Sequence, residues 1–308
     1  MSKNLATLLG FSAILLWSSL VGLLKKLSSL LGADYAVTLM YSLSAIILLI
    51  IFKIPNLKII PKAYLIGASL LFLVYELCFS YAIALAQTPQ QAIEISLVNY
   101  LWPSLTVVML IVFKELKFSL FVVFGLMVSM SGIIWIQTGN NQLSLSTLIS
   151  HFMSNPFSYI LALMGAILWA IYCVITRKYS QGHNPIALYF LMITVVLWTK
   201  LLMTHSFETL PKINFEVLPY LLAVGFATAL GYAAWNIGII KGNITFLVTL
   251  SYFSPIFSTL FSMLILQTTL SIEFWHGVCL VTLGSLICWI STSWEHIKPR
   301  IQRLKIQF

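Results

Sequence analysis

Glu76 lies near the middle of a long apolar segment, in the run Leu-Phe-Leu-Val-Tyr-Glu-Leu-Cys. A carboxylate within a bilayer costs at least about 2.5–3.5 kcal/mol, so this side chain must face a cavity or a partner. Three roles fit the position. Glu76 could bind a substrate ammonium group, carry a proton, or form hydrogen bonds as a protonated structural group.

Three further polar residues lie within apolar segments. Glu94 sits less than two turns into its segment, which fits substrate contact and also the general preference of helix N-termini for carboxylates. Asn99 and Asn236 lie deeper, where an amide can bind either substrate or a neighbouring helix. Tyr232 and Asn236 are four residues apart and therefore share a helix face.

The aromatic residues divide by depth. Trp198, Trp275, Trp289 and Trp294 lie near segment ends, as is typical of interfacial aromatic belts. A deeper set fits either packed or lipid-facing bulk, or the wall of a small-molecule pocket that contains a few polar groups. With Glu76, Glu94, Asn99 and Asn236, the candidate substrate-binding residues are Trp17, Tyr75, Tyr100, Trp102, Trp169, Tyr172, Trp235 and Tyr252.

The composition excludes a soluble enzyme. Apolar residues make up 60% of the 308 positions, and 17 Lys and Arg with 8 Asp and Glu give 25 charged residues. A soluble chain of this length carries about 77. The net charge of +9 is better explained by loop charges that set membrane orientation than by nucleic-acid binding. Because catalytic motifs and metal-ligand spacings are missing, we expect no enzyme activity, metal or cofactor.

Ten apolar segments of transmembrane length predict a polytopic all-α membrane protein. A short amphipathic helix at about 143–153 is expected to lie on the membrane surface. The predicted spans are 5–24, 33–52, 63–86, 90–113, 118–138, 157–176, 186–204, 217–240, 244–266 and 274–294.

Charge asymmetry orients these spans. With the N-terminus inside, 13 Lys and Arg fall on the cytoplasmic side and 4 on the other, which predicts that both termini are cytoplasmic. The basic tail 296–308 is expected to contact anionic lipid.

The chain resembles itself at an offset of 152 residues. Each half then holds five spans, and because five is odd, the second half enters the membrane from the opposite side. We therefore expect two inverted five-helix repeats, 1–152 and 153–308, an architecture typical of secondary transporters. The gap-free matches are Trp17/Trp169, Lys25/Arg177, Lys26/Lys178, Ser28/Ser180, Tyr100/Tyr252, Pro103/Pro255, Gly125/Gly277 and Gly132/Gly284.

Pro103 and Pro255 lie inside long apolar spans, where proline removes a backbone hydrogen bond and kinks a helix. Membrane helices also tolerate single prolines without a special role. Because the two prolines match in the repeat, we expect them to be hinges or cavity-lining bends.

Several motifs resemble those of the YddG-type aromatic amino acid exporters of bacteria. This family belongs to the drug/metabolite transporter superfamily, in the branch built from two EamA repeats. The similarity covers about residues 5–294, and Asn-Tyr-Leu-Trp-Pro is the most specific motif. The matching motifs are Ile60–Lys62, Tyr75–Glu76, Gln91–Glu94, Asn99–Thr106, Trp169–Ala170, Tyr172–Cys173, Tyr232–Asn236, Gly242–Thr245 and Ser251–Phe253.

The resemblance implies ten helices in the bacterial inner membrane around a central cavity, lined by Tyr100, Trp102 and Trp169 with Glu76 nearby. It also implies export of aromatic amino acids, with other neutral amino acids as further candidates. We expect alternating access in a monomer, with protons as a further candidate partner. The rival hypotheses are export of another metabolite or a hydrophobic cation on the same fold, an ion channel, or a membrane enzyme.

Overall fold

The computed structural model describes residues 1–52, 56–115, 117–138, 149, 152–181, 183–204, 213–242, 247 and 250–305, without the side chains of residues 177, 236, 239, 240 and 291–305. This part of the chain contains helices and no strands. The helices are α1 (Lys3–Leu31), α2 (Ala33–Phe52), α3 (Lys62–Ala84), α4 (Pro89–Asn99), α5 (Trp102–Val112), α6 (Leu120–Thr138), α7 (Pro156–Tyr179), α8 (Ile186–Thr204), α9 (Val217–Lys241), α10 (Ser254–Leu266) and α11 (Ile272–Lys305).

The expectation of an all-helical, multi-pass membrane protein is confirmed. Eight helical stretches in the described residues are long and apolar enough to cross a membrane, and shorter apolar helices occupy Leu120–Ile136 and Ser254–Leu266. These two shorter helices fall in the fifth and ninth predicted spans. The amphipathic helix expected at 143–153 falls largely outside the described residues.

The helix ends follow local sequence signals. The side chains of Ser2, Thr88 and Asn155 accept hydrogen bonds from backbone N–H groups in the first turns of α1, α4 and α7, as expected for N-cap residues. Helix α1 runs further than predicted and ends at Gly32, whose φ is 81°. Lys25, which directly follows the predicted span 5–24, is buried within α1, and its ammonium donates to the Ala86 carbonyl oxygen.

The fourth predicted span is interrupted rather than continuous. Since Pro103 has no N–H, the Asn99 carbonyl lacks its usual helical donor, and a turn at Tyr100 and Leu101 separates α4 from α5. A corresponding turn at Tyr252 and Phe253 precedes α10, in which Pro255 is the second residue. The kink predicted at Pro103 therefore takes the form of a short break between two helices, and Pro255 follows a matching turn.

Charged pairs lie near helix ends. Lys178 Nζ is 2.8 Å from Glu115 Oε1, and the hydrogen bond to this carboxylate raises the pKa of Lys178. Lys200 pairs with Asp34 and lies 4.4 Å from the centroid of the Tyr81 ring. These contacts connect α7 to the segment after α5, and α8 to α2 and α3.

The helices pair across the two halves of the chain. Helix α1 packs on α9 while α3 packs on α7, and α1 contacts α10 while α5 contacts α7. Helix α2 packs on α8, and α6 on α11. Between α6 and α11 the backbones approach closely, because a Cβ on Gly125 would lie 2.7 Å from the Gly284 carbonyl oxygen, and one on Gly132 would lie 2.7 Å from that of Gly277.

We predict that Gly132→Ala destabilises the protein. The new methyl group would meet backbone atoms of Gly277 and Val281 that cannot retract, and overpacking of this kind costs about 1–3 kcal/mol. Thermal unfolding in detergent should show a lower Tm than for the wild type. Gly67→Ala is the matched control, because nothing described lies within 4 Å of a Cβ at Gly67. Equal Tm values for the two variants would contradict this view of the α6–α11 contact.

Candidate functional site

A cavity of about 400 Å³ lies between helices from both halves of the chain. Its wall is mostly aromatic and aliphatic, with a few polar groups, as is usual for small-molecule sites. The lining residues are Trp17, Leu20, Leu24, Met40, Tyr41, Tyr75, Glu76, Phe79, Ser80, Asn99, Tyr100, Trp102, Pro103, Thr106, Val107, Leu110, Trp169, Cys173, Thr228, Tyr232, Trp235, Ser251, Tyr252, Ser254 and Trp289.

Glu76 is 4% exposed, and both of its carboxyl oxygens are hydrogen-bonded. Tyr41 on α2 donates to Oε2 at 2.5 Å, and Tyr232 on α9 donates to Oε1. Ser80, one turn further along α3, lies 2.8 Å from the Tyr41 hydroxyl oxygen. Glu76 therefore connects three helices at the edge of the cavity, which satisfies the carboxyl group as a buried polar group requires.

Two tryptophans organise the aromatic wall. The centroid of Trp169 lies 4.5 Å from that of Tyr75 and 6.2 Å from that of Trp102, whose ring is perpendicular to it. The centroid of Trp17 lies 5.0 Å from that of Tyr232 and 5.3 Å from that of Trp235. Such edge-to-face and tilted contacts are favourable for aromatic rings, so the wall is held in place without a bound molecule.

The break between α4 and α5 lies directly at the cavity. Asn99 ends α4, Tyr100 lies in the turn, Trp102 and Pro103 begin α5, and all four line the cavity. Asn99 is 3% exposed, and its Oδ1 atom accepts no hydrogen bond within the described part of the chain. The same holds for Trp17 Nε1, which donates none to any described residue. Both atoms are buried beside a glycine of a neighbouring helix, Asn99 Oδ1 next to Gly165 and Trp17 Nε1 next to Gly231.

Three predicted site residues do not line the cavity. Glu94 accepts hydrogen bonds of 3.0 Å from both Tyr159 and Gln90, on the side of α4 that faces α7. Tyr172 packs behind Trp169 with a centroid distance of 5.1 Å, and Pro255 is buried within α10. The structure thus places Glu94 in a helix contact rather than at the cavity. The side chain of Asn236 lies outside the described residues.

Several lining residues escaped sequence reasoning. Trp289, which is predicted to lie in an interfacial belt, also lines the cavity, with its ring centroid 6.1 Å from that of Tyr252. Tyr41 and Tyr232 could have been predicted as partners of Glu76, because their hydroxyl groups lie at about the same depth in other spans. For five further lining residues, neither residue type nor spacing in the sequence differs from that of ordinary span residues. They are Phe79, Ser80, Thr228, Ser251 and Ser254.

The described residues contain no group of three or more His, Cys, Asp and Glu that could hold a metal ion. Among the described residues, the lining offers aromatic surfaces, hydroxyl groups, the Asn99 amide, the Cys173 thiol and the Glu76 carboxyl group. This set can bind a small amphipathic molecule.

Residues 156–290 match the family model described as the EamA-like transporter family. The aromatic amino acid exporter YddG of Salmonella typhimurium (strain 14028s / SGSC 2262) is 40% identical over 295 residues, which cover 95% of this chain and 99% of the relative. The protein of the same name from Escherichia coli (strain K12) is 39% identical over 292 residues, with the same coverage. The relatives are transporters, not enzymes.

A more distant protein named aromatic amino acid exporter YddG, from Ancylobacter novellus, is 23% identical over 265 residues, which cover 84% of this chain and 88% of the relative. In three dimensions, a chain known from a crystal structure is similar with a TM-score of 0.66 and 19% identity, and the match covers 94% of this chain and 98% of that one. This likeness concerns the fold alone.

We predict that Tyr232→Phe lowers the stability of the protein, because it leaves Glu76 Oε1 buried without its donor. The expected cost is about 1–3 kcal/mol, measured as a lower Tm in detergent. Glu76→Gln is the matched control, since its amide can accept from Tyr232 and donate to Tyr41, and its Tm should stay near that of the wild type. A larger loss in Glu76→Gln than in Tyr232→Phe would contradict the geometry described for this carboxyl group.

Proposed function

Since this chain belongs to the family of the aromatic amino acid exporter YddG, we propose that it exports aromatic amino acids through its central cavity, with other neutral amino acids as further candidate substrates. The observation that carries the proposal is the cavity wall itself, where tryptophan and tyrosine rings from both halves surround a carboxyl group and an amide. An aromatic side chain can stack on these rings, while the polar groups are suited to the ammonium and carboxylate of an amino acid.

The proposed architecture is ten transmembrane helices in two inverted repeats, 1–152 and 153–308. The helix contacts support it, because exchanging each residue with its counterpart 152 positions away converts the α1–α9 contact into α7–α3, and α1–α10 into α7–α5. The same exchange converts Gly125–Gly284 into Gly277–Gly132. Ser129 and Val281, which are themselves 152 residues apart, are joined by a hydrogen bond of 3.2 Å.

In the proposed mechanism, the two halves rock against each other and open the cavity to one side of the membrane at a time. The matched breaks before Pro103 and Pro255 are the proposed hinges. They support this role because a turn between two helices can absorb backbone rotation that a continuous helix resists.

Substrate would lie with its ring between the Trp17 and Trp169 sides of the wall. Both oxygens of Glu76 already accept tyrosine hydroxyls, so we assign the ammonium group to the Asn99 end of α4, where the amide oxygen and the negative end of the helix dipole coincide. Glu76 then supports binding through its charge and through Tyr41 and Tyr232. The proposed binding residues further include Tyr75, Tyr100, Trp102, Trp235, Asn236 and Tyr252. Glu94 and Tyr172 lie behind the cavity wall and would support it through helix contacts.

The proposed location is the bacterial inner membrane, with both termini in the cytoplasm, in agreement with the distribution of Lys and Arg. The proposed functional unit is a monomer surrounded by lipid. Glu76 is the carboxyl group at the cavity wall and is therefore the proposed carrier if a proton is exchanged for substrate.

A hydrophobic cation is the second candidate substrate. The observation that favours it is the carboxyl group of Glu76 among aromatic rings, since such an arrangement also attracts a quaternary ammonium group by cation–π interaction. Competition between phenylalanine and a quaternary amine separates the two functions.

We predict saturable counterflow of labelled phenylalanine into proteoliposomes that contain the purified protein. Unlabelled tryptophan and tyrosine should suppress it, because they fit the same wall, whereas a quaternary amine should not. Empty liposomes are the control. Suppression by the quaternary amine alone would favour the cation exporter, and absence of counterflow from folded protein would refute the proposed function.

We also predict that Trp102→Ala and Trp169→Ala each reduce phenylalanine counterflow at least about tenfold, because each removes a ring from the wall, and a lost stacking partner costs about 0.5–1.5 kcal/mol beyond area burial. Expression and Tm should remain sufficient for assay. Trp135→Ala is the matched control, since Trp135 is 39% exposed on α6, away from the cavity. Normal transport by both cavity variants would show that the assigned wall is not the binding site.

A further inference from the structure

The Trp17 indole lies with its edge against the backbone of α9, directly over Gly231. A Cβ atom on Gly231 would lie 2.6 Å from Trp17 Nε1 and 2.7 Å from Cδ1. The rings of Tyr232 and Trp235 flank the indole, with centroids at 5.0 Å and 5.3 Å. The missing side chain of Gly231 therefore creates a slot that accepts the edge of the indole.

The other half of the chain is built differently at the matching place. The counterpart of Trp17 is Trp169, and the position that corresponds to Gly231 holds Phe79. Trp169 lies against Tyr75 and Tyr172 instead, and the Phe79 ring itself lines the cavity. The wall is thus filled at Phe79 and recessed at Gly231.

We propose that Gly231 is a positioning residue that sets the upper size of the substrate by letting Trp17 withdraw from the cavity. This inference rests on the proposed function and specifies its substrate class as amino acids with side chains as large as an indole. Gly231 would thus determine specificity from the backbone of α9, without itself lining the cavity.

A methyl group at position 231 would force the indole to move. To reach an ordinary van der Waals distance of 3.4 Å from the new Cβ, Nε1 must shift from 2.6 Å by at least 0.8 Å. Tyr232 and Trp235 block sideways movement, and the Tyr232 ring is anchored by its hydrogen bond to Glu76. The free direction is into the cavity, so the space for the largest substrates is lost first.

The test is counterflow of labelled tryptophan and labelled phenylalanine by Gly231→Ala. We expect KM for tryptophan to rise about tenfold, as for one methylene of misfit in an apolar pocket, with a smaller rise for phenylalanine and with kcat for phenylalanine close to the wild-type value. Gly67→Ala is the matched control, because a Cβ there meets nothing described within 4 Å. It should transport both amino acids as the wild type does.

A rescue experiment separates positioning from helix packing. In the double variant Gly231→Ala with Trp17→Phe, the smaller ring leaves room for the methyl group, and the KM for tryptophan should fall back toward the value for Trp17→Phe alone. Equal KM changes for the two substrates, no change in either, or failure of the rescue would overturn the role of Gly231. Absence of aromatic counterflow by the wild type would instead overturn the proposed function.

Discussion

The centre of the molecule depends on the two hydrogen bonds that Tyr41 and Tyr232 donate to the carboxyl group of Glu76. A carboxyl group at this depth is costly in a bilayer, and the fold accommodates it by bringing two hydroxyl groups from α2 and α9 onto its two oxygens. Because Tyr232 also packs edge-to-face on Trp17, the same contact positions the aromatic wall. The polar centre and the apolar wall of the cavity are thus one structural unit.

The cavity combines matched geometry with unmatched chemistry. Counterparts 152 residues apart meet at the cavity, yet Glu76 corresponds to Thr228, Asn99 to Ser251, and Trp102 to Ser254. The acidic and amide groups therefore belong to the first half. A symmetric scaffold is suited to opening on either side, whereas an asymmetric lining is suited to holding a polar substrate in one orientation. Both properties are useful to an exporter of amino acids.

Hydropathy predicted the helical class and the approximate spans, and the depth of aromatic and polar residues predicted part of the cavity wall, because these depend on burial and on position along the chain. Lateral contacts between helices leave no such signal, and Glu94 was placed at the site although its carboxylate faces Tyr159. Trp289 lies at the end of the apolar stretch Ile272–Ile290 and lines the cavity, which its position near a span end did not indicate.

The most direct test of a cavity that opens to both sides is the accessibility of a single cysteine at position 106. Thr106 lines the cavity, and Thr106→Cys would be placed in a chain whose four cysteines are replaced by alanine. A membrane-impermeant maleimide should label this position from either side in oriented vesicles, and phenylalanine should slow the labelling from both sides. Labelling from one side only, or labelling that phenylalanine does not slow, would contradict an alternating-access aromatic amino acid exporter.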